Sequence, residues 1–249
     1  MVSPEPPWEN VCAGWRTSHS ERRSTQADIN AGTGVAVSAT PFRCIANGKR
    51  GLEAIVIEAV KIWNEPNNLS HWNFHLDPDW VLFAATAESA ARALKEECPD
   101  TPLIMGGMSP SDPKFVRLLE NHGVLEHMDG LGVHGFPLDW NHWKLDDWPK
   151  MISDIRSAGK LSIWVTEAGV SSFGAEEVQE FGVKRTAELL LNEVDHVFWY
   201  SLLDLPPAWQ ATTRHKENEY GLVPHHTSPP KDTIEFADFC GDMVRRYAA

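Results

Sequence analysis

From about residue 51 onward, short apolar runs alternate with stretches whose apolar residues recur at helical spacing. Val60 to Trp63 is an apolar run that ends in Asn64-Glu65-Pro66. Asp77-Pro78 then opens a helix, with Asp as the N-cap and Pro in the first turn. Phe83, Ala87, Ala90, Ala91 and Leu94 share one face of it, and Cys98-Pro99 closes it. Leu103 to Gly107 predicts a buried strand, and Asp112-Pro113 caps a short helix carrying Phe115, Val116, Leu118 and Leu119. The alternation continues. Gly130 to Val133 is a strand, Asp147 to Ala158 a helix, Leu161 to Val165 a strand ending in Thr166-Glu167, and Ala175 to Asn192 a helix. Val197 to Ser201 is a strand, and a last helix is expected near 231–247.

Short apolar strands, each followed by a crossover helix and with no hairpin signal between them, predict a parallel sheet covered by helices. An open doubly wound sheet and a closed (β/α)8 barrel both satisfy this pattern. The nucleotide-binding open sheet needs a Gly-rich turn after an early strand. Gly32-Thr33-Gly34 lacks the third glycine and the helix it should open. In a barrel, polar residues gather at the C-terminal strand ends, which is where Asn64, Glu65, Ser109, His134, Glu167, Trp199 and Tyr200 fall. The expectation is therefore an α/β chain of TIM-barrel type. Residues 51–249 supply its strands four to eight, and residues 1–50 form an irregular segment. Three further units need roughly 90 residues at ~30 per unit, so the first three are expected to be shortened or missing.

Composition narrows the function. A formal net charge of −13 argues against a nucleic-acid backbone as partner. No stretch approaches the ~18 apolar residues of a membrane span, and the N-terminus has no signal-peptide pattern. The four cysteines, Cys12, Cys44, Cys98 and Cys240, form no C-x-x-C pair and are expected to be reduced thiols in a cytoplasmic protein. Eleven tryptophans exceed what a core alone would use and suit stacking on sugar rings.

The chemistry concentrates in two segments, Trp63-Asn64-Glu65-Pro66-Asn67 and Trp164-Val165-Thr166-Glu167-Ala168-Gly169. Each sets a carboxylate at a strand end, three strands apart. In an eight-stranded ring that separation turns the two side chains toward each other across the mouth. Two carboxylates about 5–5.5 Å apart suit retaining glycoside hydrolysis.

These motifs resemble clan A glycoside hydrolases, the 4/7 superfamily, and most of all the β-xylosidase-like family 39, over about residues 55–245. The resemblance implies that Glu65 is the acid/base, Glu167 the nucleophile, and Asn64 a ligand of the sugar 2-hydroxyl. It implies further that His134 shapes the reacting subsite and that Trp199 floors it, followed by a cis peptide. Where many clan members carry a Tyr, this chain has Phe136. The implied activity is retaining hydrolysis of a β-linked, xyloside-like or polysaccharide sugar, with no metal or organic cofactor. A catalytically impaired, glycan-binding relative with an incomplete barrel is the alternative, and open strand edges would favour self-association.

Other candidates carry less. Asp139-Trp140-Asn141-His142-Trp143 is either a sugar subsite with Trp140 exposed or a loop whose tryptophans plug the rim. His71 and His75 have helical metal spacing but lack the H-E-x-x-H pattern. Thr212 to Tyr220 reads as a solvated loop, Pro206 to Trp209 as a second rim segment, and His225-His226 as exposed. His196 reads as structural, and Ser171 and Ser172 have no partners that would make a nucleophile.

Overall fold

The computed structural model describes residues 58–173, 175–206 and 216–224, all within one compact unit, Cys44–Ala249. The expected irregular segment 1–50, the helix near 231–247, His225-His226 and residues 207–215 lie outside the described residues. Five strands form one parallel sheet in sequence order: β1 (Val60–Ile62), β2 (Leu103–Met108), β3 (Gly130–Gly135), β4 (Ser162–Ala168) and β5 (His196–Trp199). Four α-helices are described between them: α1 (Val81–Glu97), α2 (Pro113–Asn121), α3 (Trp148–Ala158) and α4 (Glu176–Leu190). A doubly wound sheet would reverse strand order at a switch point. Here each strand joins the far side of the one before it, and α2, α3 and α4 pack in succession against one another.

The helices cover one face of the sheet. Phe83, Ala87 and Ala91 of α1, Phe115, Val116 and Leu119 of α2, Ile152 and Ile155 of α3 and Leu190 of α4 form one core. They close over Ile62, Leu103, Met105, Leu131, Val133, Ile163 and Val165 of the strands. Among the described residues no helix is long and apolar enough to cross a membrane.

Two expectations change. The first helix begins at Val81 rather than at Asp77-Pro78, with Trp80 in a left-handed conformation at its N-cap. Asp77 still serves it from a turn away, because its buried carboxylate accepts from the Leu82 and Phe83 amides. Asp112, by contrast, caps α2 as its sequence suggests, accepting from the Lys114 amide with Pro113 in the first turn. Cys98 is disulfide-bonded, not a reduced thiol, and its partner lies outside the described residues.

Bulges decide which strand residues leave the core face. In β4, Ile163 and Val165 face the helices, and strict alternation would send Glu167 the same way. The β3–β4 register instead pairs Val133 with Val165 and His134 with Glu167, leaving Thr166 as an extra residue. That single insertion turns Glu167 onto the face away from the helices. A matching irregularity separates Met105 from Met108 in β2.

Candidate active site

Glu65 follows β1 in a segment that the local sequence alone would not hold. Trp63 and Glu65 have φ of 69° and 42°, in the left-handed region, which costs about 1–3 kcal/mol per non-glycine residue. Tertiary contacts impose it. The Glu65 amide donates to Gly107 O at 3.1 Å. The Trp63 indole lies edge-on to Trp72 and Phe83, at 5.3 and 5.9 Å, and donates to His71 O. Asn67 bridges to the end of β2, donating to Pro110 O and accepting from the Ser109 amide.

His134 joins the two carboxylates. It projects from β3, only 1% exposed, and its Nδ1 lies 2.8 Å from Glu65 Oε1 and 3.4 Å from Glu167 Oε2. Against ionised carboxylates Nδ1 carries the hydrogen, because a carboxylate can only accept. The ring fits because residue 107 is glycine: a Cβ there would stand 1.9 Å from His134 Nε2. Lys61, in the middle of β1, donates to Asn64 Oδ1 at 2.7 Å and lies 3.6 Å from Glu167 Oε1.

β1 and β4 are three strand spacings apart, about 14 Å, and the long Lys61 and Glu167 side chains close that distance on the face away from the helices. Gly132 lets neighbouring β2 approach closely, since a Cβ there would sit 1.9 Å from Gly106 O.

The two carboxylates differ electrostatically. Burial alone would push Glu65 up, but hydrogen bonds from His134 and Asn68, then the charges of His134 and His71, hold it below the ordinary glutamate value. Asn68 Nδ2 donates to Glu65 Oε2 at 2.9 Å, and His71 Nδ1 lies 3.5 Å from the same oxygen. Among the described residues, Glu65, His134 and Glu167 are the group with converging metal-type donor atoms, all within 4.8 Å of one another. A metal-bound imidazole usually gives its other N–H to an acceptor. His134 Nε2 is buried without one, so the set suits proton handling better than a metal.

The other expected residues divide. Asn64 lies against Lys61, and Phe136 is buried 6.5 Å from the His134 ring, with Tyr200 and Tyr220 at 5.8 and 5.4 Å. Trp140 is 42% exposed beyond Phe136, whereas Trp143 packs edge-on against buried Trp148 at 4.8 Å. The loop thus splits between the two readings of it. Trp199 packs against the core and donates to Tyr220 O. Its neighbour Tyr200 is the one that meets Phe136, and the cis peptide falls at Tyr200-Ser201, one residue later than expected. The end of the expected solvated loop is anchored: Tyr220 is buried and its hydroxyl donates to Asp139 at 2.6 Å. Gln179 of α4 donates to Val170 O, Glu219 O and Tyr220 O, and Ser172 to Glu219 O. His71 turns to Glu65, while His75 lies against Phe74.

Sequence reasoning gave no site role to Lys61, Asn68 or Gly107, and weighed His71 only as half of a metal spacing with His75. Only Lys61 leaves a signal, as a cation between Val60 and Ile62 in an otherwise apolar strand.

No family model and no curated protein matches the chain. Among solved structures it is similar to a β-glucuronidase from Bacteroides uniformis, at 17% identity and a TM-score of 0.47, over 56% of this chain and 18% of that one. It is also similar to a β-D-glucuronidase from Dictyoglomus thermophilum, at 16% and 0.46, over 65% and 28% of the two chains. A family 51 α-L-arabinofuranosidase from Bifidobacterium longum aligns at 14% and 0.49, over 68% of this chain and 40% of that one. The chain thus spans well under half the length of each of these glycoside hydrolases.

Proposed function

We propose that this chain is a retaining β-glycoside hydrolase whose sheet is an arc of a (β/α)8 barrel, with β1 to β5 as its fourth to eighth strands. The observation that carries the reading is the Glu65–His134–Glu167 cluster at the C-terminal ends of β1, β3 and β4. Its donor atoms lie within 4.8 Å of one another. Two strand-end carboxylates facing each other across one histidine suit the paired acid/base and nucleophile of a retaining mechanism.

Glu167 attacks C1 of the sugar as the bond from C1 to the leaving oxygen breaks, and Glu65 gives that oxygen its proton. Water then attacks C1, Glu65 takes the water's proton, and Glu167 leaves as a carboxylate. Asn64 contacts the bound sugar, with Phe136 and Trp140 on its far side. The substrate class is a β-linked oligosaccharide or polysaccharide, xyloside-like at the reacting unit, and no metal or organic cofactor takes part.

Nitrophenol release from a panel of aryl β-glycosides, with Glu167→Ala as the blank, tests this. Release above the blank supports the reading and names the sugar. A second reading, a glycan-binding relative without turnover, is favoured by one observation: the carboxyl that must donate a proton is held toward its ionised form. Activated 2-deoxy-2-fluoro glycosides separate the two, because their leaving group needs no acid. A glycosyl mass adduct on Glu167 supports catalysis. Sugar binding with neither adduct nor release supports the second reading.

A further inference from the structure

We propose that Lys61 is a positioning residue that fixes Asn64 in one amide orientation and supplies the counter-charge to Glu167; the assignment rests on the retaining reading of this site. Val60 and Ile62 pack toward the helices, so alternation turns Lys61 to the opposite face. Its ammonium donates to Asn64 Oδ1 at 2.7 Å and stands 3.6 Å from Glu167 Oε1, with the side chain 30% exposed.

Two consequences follow. With Oδ1 taken by an ammonium, which has donors only, Asn64 has its two amide hydrogens left for a ligand. Asn64 therefore recognises an acceptor beside the two carboxylates and cannot flip to recognise a donor without facing Lys61 with its own N–H groups. Second, two carboxylates within 4.8 Å repel each other. His134 offsets that repulsion from the middle of the pair, and Lys61 offsets it from the far oxygen of Glu167. The ammonium occupies the side of Glu167 that a cationic ligand would otherwise take.

The test reads binding, so it does not depend on turnover. The full chain, Lys61→Met and Lys61→Arg are titrated by calorimetry with protonated piperidine iminosugars of gluco, galacto and xylo configuration. The matching neutral lactams are titrated alongside. In Lys61→Met the cationic probe binds more tightly and the neutral lactam more weakly, each by roughly three- to fivefold, the scale of a partly exposed ion pair. Lys61→Arg keeps the cationic probe near its original affinity. Lys61→Gln replaces Lys61→Met if the latter does not melt cooperatively. Shifts of both probes in one direction, no shift, or no binding of either probe by the unaltered chain overturn the assignment. A chain that shows the split but releases no nitrophenol sinks the retaining reading and leaves the role of Lys61 standing. A chain that hydrolyses glycosides without the split does the reverse.

Discussion

The ends of β1 and β4 each deliver a carboxylate to the same place by different means. At the end of β1 the backbone itself is bent: Trp63 and Glu65 adopt left-handed conformations, clamped by Gly107 O and by the Trp72–Phe83 aromatic pair. At the end of β4 one inserted residue, Thr166, shifts the register and turns Glu167 inward. Glu65 has a donor on each oxygen, His134 on one and Asn68 on the other, with His71 lying near the second, and is 12% exposed at its side chain. Glu167 meets a lysine and the longer of the two His134 contacts, and is 23% exposed. Under the proposed division of roles, the attacking carboxylate is the one with room beside it, and the proton-trading one is the more tightly held.

This contrast is sharpest in the two alanine variants. Glu167→Ala is expected to abolish hydrolysis of every aryl glycoside. Glu65→Ala is expected to lose about 10²–10⁴-fold on substrates with poor leaving groups but far less on dinitrophenyl glycosides. Steady-state rates against leaving-group pKa would show this, and equal losses across the series would end the division of roles.

Next in size is Gly107→Ala, which places a methyl group against a ring that cannot retreat without releasing Glu65. Urea unfolding should show a loss of about 1–3 kcal/mol, as overpacking does. Hydrolysis should fall more steeply than stability, since the His134 bridge is displaced.

A smaller effect concerns acid. Glu65 and Asp129 both sit below their ordinary values in the folded chain. Burial opposes this for Asp129 also, but the Leu103 amide and Lys95 prevail. A carboxyl depressed by folding stabilises fully above its unfolded value, about 4.5 for Glu65 and 3.8 for Asp129, and that contribution is lost as pH falls through the folded value. Tm should be flat on this account from pH 7 to 5 and decline below about 4.5. Glu65→Gln should flatten part of that decline, and an unchanged acid profile would contradict the hydrogen-bond account of Glu65.

The smallest effect is expected from His71→Gln. Removing that charge raises the Glu65 carboxyl toward its ordinary value. The limb of the kcat/KM profile that reports loss of the acid's proton should therefore move to higher pH, with little change in Tm. A shift to lower pH would mean that His71 does not act on Glu65 through its charge.

Much of this was legible in the sequence, because strands and helices announce themselves through spacing. Every described strand lies where an apolar run does. Asp112-Pro113 marks the start of α2, since a capping side chain and proline act within one turn. The pairing of Glu65 with Glu167 was readable too, given parallel strands counted in order. Locally encoded signals failed where a distant contact outweighed them. Asp77 caps α1 from a turn away, and the stretch ending at Tyr220 is pinned by Gln179 and Asp139.

The sequence by itself determined the alternation of elements and the residue types at the strand ends, since both follow from period and short-range hydrogen bonding. Only the tertiary structure decided that Glu167 turns away from the helices, because one unpaired residue inverts the face of everything after it. Only the tertiary structure, too, brings Lys61 across three strand spacings to Glu167, because strand order and register belong to the whole sheet and to no single strand.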